Sequence, residues 1–127
     1  MEIELLLSGE ALNLYVLVVN GNRLVRDFIN GLEIRPKKQV FKLIEQRANR
    51  LNLFDEQKFR SIGDDIFELK TRSGLRILCF WGGQKTLILT HGFFKPTKKV
   101  LKTEIAKATK WRKEYQENLR LQVHEKD

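Results

Sequence analysis

The 127-residue sequence predicts an α+β domain, and three observations predict it. Short apolar runs of strand length open the chain and return in its second half. Two stretches between them, and one at the end, repeat apolar residues at helical spacing. Tight-turn residues separate the later runs. Strands and helices that come in blocks, instead of alternating one for one, argue against a doubly wound parallel sheet.

In chain order, residues 3–7 and 14–19 read as two strands around Ser8-Gly9-Glu10, a hairpin followed by the turn Asn20-Gly21-Asn22. In "RLVRDFINGL", Leu24, Val25, Phe28, Ile29 and Leu32 share a helical face that ends at Gly31. Pro36 suits the first position of a second helix, whose apolar stripe is Val40, Leu43, Ile44, Ala48 and Leu51. Residues 52–64 read as a surface connection pinned to the core by Leu53, Phe54, Phe59 and Ile62.

Three strands follow at 65–71, 75–81 and 86–93, an antiparallel meander turned at Ser73-Gly74 and Gly82-Gly83. Thr97 is the N-cap expected for a last helix with the stripe Val100/Leu101, Ile105, Ala108, Trp111 and Tyr115. Residues 116–127 mix charge signs and are expected to fray. The chain shows no internal repeat, so residues 1–127 are expected to form a single domain.

A formal net charge of +8 and a pI near 9.8 favour a polyanionic partner: nucleic acid, an anionic membrane or an acidic protein. Cys79 is the sole cysteine, which excludes an internal disulfide and a zinc cluster, and its apolar neighbours make it a buried thiol. Glu2 and Glu4 stand where a signal peptide would be basic. No apolar run approaches the roughly 18 residues of a membrane span. The expectation is a cytoplasmic protein with no membrane, metal or cofactor.

Positive charge concentrates in the second half, where parity orders it. Phe67 and Leu69 point one way, and Glu68, Lys70 and Arg72 the other. If residues 72–74 form a three-residue loop with Gly74 left-handed, Lys70 lies opposite Arg76, and Lys70, Arg72 and Arg76 share a face. A two-residue Ser73-Gly74 loop would flip Arg76 to the other face; glycine at the final position favours the three-residue loop.

Arg76 sits among Leu75, Ile77, Leu78 and Cys79 and must be partly desolvated, so it needs an anion. A salt bridge to Glu68 or Asp65 and a phosphate ligand meet that need equally well. His91 has the unperturbed pKa of a general acid or base, yet a histidine at a strand end near Phe93 is more often a packing residue. Trp81, Trp111 and Tyr115 read as packing, Asp64-Asp65 as a turn and His124 as part of the tail.

The stretches "FELKTRSGLRILCFW" (67–81) and "LTHGFFKPTKKVLKTEI" (89–105) resemble the phage-derived HigB-like toxins of the RelE superfamily. Glu68, Leu69 and Lys70 stand at the family's Glu-Leu-Arg. Gly74 and Arg76 match its turn glycine and strand arginine. His91, Gly92, Phe93, Lys95, Thr97, Lys99, Lys102, Glu104 and Ile105 match the segment that leads into the last helix. The resemblance covers about residues 12–116 and leaves out the strand near residues 1–8.

What it implies is a compact RNase-like α+β toxin that cuts messenger RNA on the ribosome without a metal. A small helix-turn-helix antitoxin, HigA-like, would neutralise it. Arg76 and Lys95 would stabilise the crowded phosphorane and His91 would act as acid or base, while Lys70, Arg72, Lys98, Lys99 and Lys102 would hold RNA. Leu75 and Cys79 depart from the family by replacing tyrosines around the arginine, and Pro96, Val100 and Leu101 replace Lys, Thr and Pro. The missing tyrosines favour a rival: a non-catalytic RNA or ribosome binder. A third reading is a toxin with another target, such as a topoisomerase.

Overall fold

Alternating apolar residues make β1 (Glu2–Ser8) and β2 (Asn13–Val19), which pair antiparallel as the sequence predicts. Asn20 and Gly21 take left-handed φ values of 51° and 78°. They turn the chain so that β3 (Asn22–Arg23) folds back on β2. The helices α1 (Leu24–Asn30) and α2 (Ile34–Asn49) follow. Pro36 falls in the first turn of α2 but not at its first residue. Its lack of an N–H is tolerated there because first-turn donors have no intrahelical acceptor.

The computed structural model describes residues 1–50 and 57–126, with side chains as far as residue 120. The stripe residue Leu51, the expected anchors Leu53 and Phe54 and the side chain of the tail residue His124 therefore lie outside what is described. Within the segment read as a surface connection pinned to the core, β4 (Phe59–Ser61) pairs with β5 (Phe67–Lys70). Tertiary contacts make this strand. Phe59 stacks on Phe67 at 5.4 Å, and the buried Arg47 guanidinium lies 4.9 Å from its ring centre.

The strands β6 (Arg76–Gly83) and β7 (Thr86–Phe93) complete the antiparallel meander. One sheet results, in the order β1-β2-β7-β6-β5-β4, with β3 beside β2. Among the described strands only β2 and β7 run parallel. Such a pair needs a long crossover, here the whole of the intervening chain with its helices.

Strand parity sorts the core into two layers. Leu14, Val16, Leu69, Ile77, Cys79, Leu87 and Leu89 pack with Val25, Ile29, Val40, Leu43, Ile44 and Ala48 of α1 and α2. On the opposite face Leu17, Leu78, Phe80 and Ile88 pack with Ala108 of α3 (Lys98–Lys126). Each large apolar side chain so buried contributes roughly 1.5–3 kcal/mol. The α+β fold, with terminal strands, helices, a sheet and a last helix, is that of a compact RelE-like protein.

Thr97 caps α3 as predicted, its Oγ1 accepting the Val100 N–H at 3.2 Å. Residues 116–126 continue the helix where fraying was expected. No helix among the described residues is long and apolar enough to cross a membrane.

Candidate nucleic-acid interface

The loop between β5 and β6 decides where the cations point. Gly74 is left-handed at φ 94°, its N–H donates to the Thr71 carbonyl, and Lys70 pairs with Arg76 across the ladder. That is the three-residue loop. Glu68, Lys70 and Arg76 therefore lie on the face toward α3, while Arg72 is exposed on the turn.

Arg76 in turn faces Phe93, the last residue of β7. Beyond it the chain leaves the sheet between two aromatic contacts. Phe93 packs 5.4 Å from the His91 ring on the α3 side, and Phe94, 66% exposed, meets Phe28 edge-on at 5.4 Å on the α1 side. Gly92 permits this, because a β-carbon there would stand 2.4 Å from the Phe28 ring. The next residue, Lys95, lays its stem against the β5–β6 turn. A β-carbon on Gly74 would be 3.1 Å from Lys95 Cβ and 3.3 Å from its Cδ.

Thus Lys95 meets the turn that carries Arg72, 23 positions earlier in sequence, at one glycine. Lys98, Lys99 and Lys102 follow within the first turns of α3, all exposed. Among the described residues none of these five cations has a carboxylate partner. The unsatisfied N–H groups at the start of α3 add further positive potential.

Arg76 is the buried cation beside the β5–β6 turn of this rim, at the start of β6. Its side chain is 10% exposed, and Nη1 donates to Glu68 Oε2 at 2.7 Å. Glu68 is fully buried and accepts Arg60 Nε on its other oxygen at 3.0 Å. Of the two anions left open by the sequence, the carboxylate occupies Arg76. Two guanidinium groups around one carboxylate leave the cluster net positive, and Arg76 Nε is buried without a partner among the described residues.

His91 lies deeper, between β7 and α3. Nε2 is 2.6 Å from Glu104 Oε2 and Nδ1 is 2.9 Å from Thr90 Oγ1, with Trp111 edge-on at 5.1 Å. Burial lowers the imidazole pKa against the opposing pull of Glu104. Burial raises that of Glu104, but the hydrogen bonds from His91 and Lys107 outweigh it and hold the carboxyl below its ordinary range. The ionised Glu104 accepts from Nε2, and the Thr90 hydroxyl, which also reaches the Leu78 carbonyl at 3.1 Å, meets Nδ1. Both ring nitrogens are engaged, so His91 joins sheet to helix and offers the rim no open atom.

Leu75 and Cys79, where the resemblance calls for tyrosines, are 4% and 0% exposed in the layer facing α2. Burial pushes the Cys79 thiol far above its ordinary range. Side chains at these two positions pack inside the protein, away from the rim. Trp81 packs edge-on against Phe59 and Phe67 at the end of the hairpin, and Tyr115 packs on Phe80. Asp64 and Asp65 both take left-handed turn conformations. No three His, Cys, Asp or Glu side chains converge on a possible metal site among the described residues.

Two partners escape a sequence reading. Arg60 sits on the unpredicted β4. Glu104 lies 13 residues beyond His91, a separation with no local periodicity; its only sequence signal is its place in the matched motif.

Comparison with known proteins bears on the same segment. The family model described as Phage derived protein Gp49-like (DUF891) matches residues 27–113, and no curated protein matches the chain. The matched span begins within α1 and contains every candidate rim residue, together with Glu68, Arg76, His91 and Glu104. By that match over more than half its length, the chain belongs to the phage-derived Gp49-like family.

Proposed function

We propose that the chain is a toxin of the HigB-like kind, cutting messenger RNA on the ribosome and held in check by a helix-turn-helix antitoxin. The observation that carries this reading is the contact of Lys95 with the β5–β6 turn, which joins the lysine segment at the start of α3 to the turn that carries Arg72. Such a rim suits the sugar–phosphate path of a single strand.

In the reaction the 2′-hydroxyl attacks the adjacent phosphorus and the bond to the 5′-oxygen breaks, leaving a cyclic phosphate. Negative charge grows on the non-bridging oxygens. Lys95 would meet it directly, and Arg76, oriented by Glu68, would act with its remaining donors. His91 would transfer a proton only after α3 moved, since Glu104 and Thr90 occupy its nitrogens. The toxin reading agrees with the phage-derived family, and covering the rim would be the simplest mode of neutralisation.

A second reading, RNA or ribosome binding without cleavage, is favoured by one specific observation: Arg76 and His91 each already hold a carboxylate. Cell-free translation with the purified protein separates the two, with transcript ends mapped by primer extension with and without ribosomes. The nuclease reading predicts new ends that need ribosomes and vanish in Arg76→Ala and Lys95→Ala. Blocked translation with intact transcripts would leave the binder, and unimpaired translation would sink both.

A further inference from the structure

A second concentration of cations lies on the α2 side of the sheet. A cavity of about 660 Å³ opens between α2 and the β4–β5 edge, within the size range of small-molecule sites. Lys42, Lys58 and Arg72 contribute positive charge to its lining, and none of its described lining residues is acidic. Two glutamines of α2, Gln39 and Gln46, complete the argument because their orientation is fixed.

At Gln39 a one-way hydrogen-bond chain sets the amide. The Leu75 N–H donates to Thr71 Oγ1 at 3.1 Å, Thr71 and Ser73 hydroxyls are 3.0 Å apart, and Ser73 donates to Gln39 Oε1 at 2.8 Å. Ser73 spends its hydrogen on Gln39, so Thr71 donates to Ser73. At Gln46 the Lys58 ammonium, which can only donate, lies 3.4 Å from Oε1. Both carbonyl oxygens are thus taken from within the protein. Each carbonyl is thereby turned inward, and each glutamine keeps its NH₂ group, a pure donor, for a ligand. Amide donors with Lys42 and Arg72, and without a carboxylate among the described lining residues, select an anion.

We propose that this cavity is a phosphate-binding subsite for a nucleotide, filled by the backbone of the RNA strand that crosses the rim. Arg72, on the turn shared by rim and cavity, joins the two. The RNA as source rests on the reading of the rim given above; the phosphate chemistry does not.

The test is fluorescence anisotropy with a labelled single-stranded RNA across a salt series, and a parallel titration with ATP. The variants are Lys42→Ala and the double change Gln39→Leu with Gln46→Leu, each checked for an unaltered circular dichroism spectrum. The glutamine pair should weaken RNA binding about tenfold without changing the salt slope, because no charge is lost. Lys42→Ala should weaken it and flatten the slope by about 0.7. Should the glutamine pair not fold, Lys42→Ala alone decides.

RNA binding left intact in these variants would overturn the subsite while leaving the rim reading standing. Binding of ATP but not RNA, lost in the variants, would support the phosphate site with a free nucleotide as its source and refute the rim reading. Binding of neither overturns the proposal.

Discussion

Replacing Glu68 with alanine tests the buried charge cluster, and the structure sets the size of the effect. Glu68 is fully buried and bonds Arg76 at 2.7 Å and Arg60 at 3.0 Å. Its removal strips Arg76, itself 10% exposed, of its only anion among the described residues. Arg60, about half exposed, simply returns to water. Breaking a buried pair from one side costs about 3–5 kcal/mol. For a chain of this length that is a fall in melting temperature of roughly 11–19 °C.

The reverse change is milder. Arg76→Leu leaves Glu68 bonded to Arg60, so it should lower the melting temperature by less than Glu68→Ala does. Glu68→Gln, which keeps the shape but loses the charge, should fall between the parent and Glu68→Ala. Thermal unfolding followed by circular dichroism at neutral pH reads all three. A Glu68→Ala protein melting within about 3 °C of the parent, or one more stable than Arg76→Leu, would refute the reasoning.

Acid should weaken the fold through His91. The unfolded imidazole titrates near 6.5, and the folded one lower because it is buried. Stability present above 6.5 is therefore lost as pH falls through the window between the two values. Glu104, depressed from 4.5, adds a contribution present above that value and lost toward its lower folded value. Urea midpoints should fall between about pH 7.5 and 5.5 in the parent and stay flat in His91→Gln; a parent midpoint that rises in acid would contradict this. Gly92→Ala should cost about 1–3 kcal/mol by driving a methyl into the Phe28 ring, measured by urea unfolding and partly relieved by Phe28→Leu. Thr97→Ala should cost about 0.5–2 kcal/mol through the lost α3 cap, read in the same assay.

Local chemistry was legible in the sequence, and long-range pairing was not. The residues of β7 could be read off because alternation and Gly82-Gly83 bound them, and the Lys70–Arg76 register followed from one left-handed glycine. Thr97 announced its helix for the same local reason. By contrast, β4 is three residues long with a single apolar side chain, too short for any periodicity. The parallel β2–β7 pair is a choice of neighbour that hydropathy does not encode.

The candidate site divides in the same way. That Arg76 needs an anion followed from its apolar neighbours, but which anion depended on Glu68 lying diagonal to it on the same face of the ladder. His91 was identifiable as a residue of interest. Its capture by Glu104 needed α3 laid across the sheet. The Lys95–Gly74 contact, which assembles the rim, joins two loops that share no pattern in the sequence.

The most direct test of the basic rim as a nucleic-acid surface is the salt dependence of single-stranded RNA binding in the parent and in a variant with Lys95, Lys98, Lys99 and Lys102 all changed to Gln. If the four lysines meet phosphates, the slope of log Kobs against log salt should shrink by about 3 and affinity should fall with it. An unchanged slope with unchanged affinity would contradict the assignment and move the RNA, if any is bound, to another face of the protein.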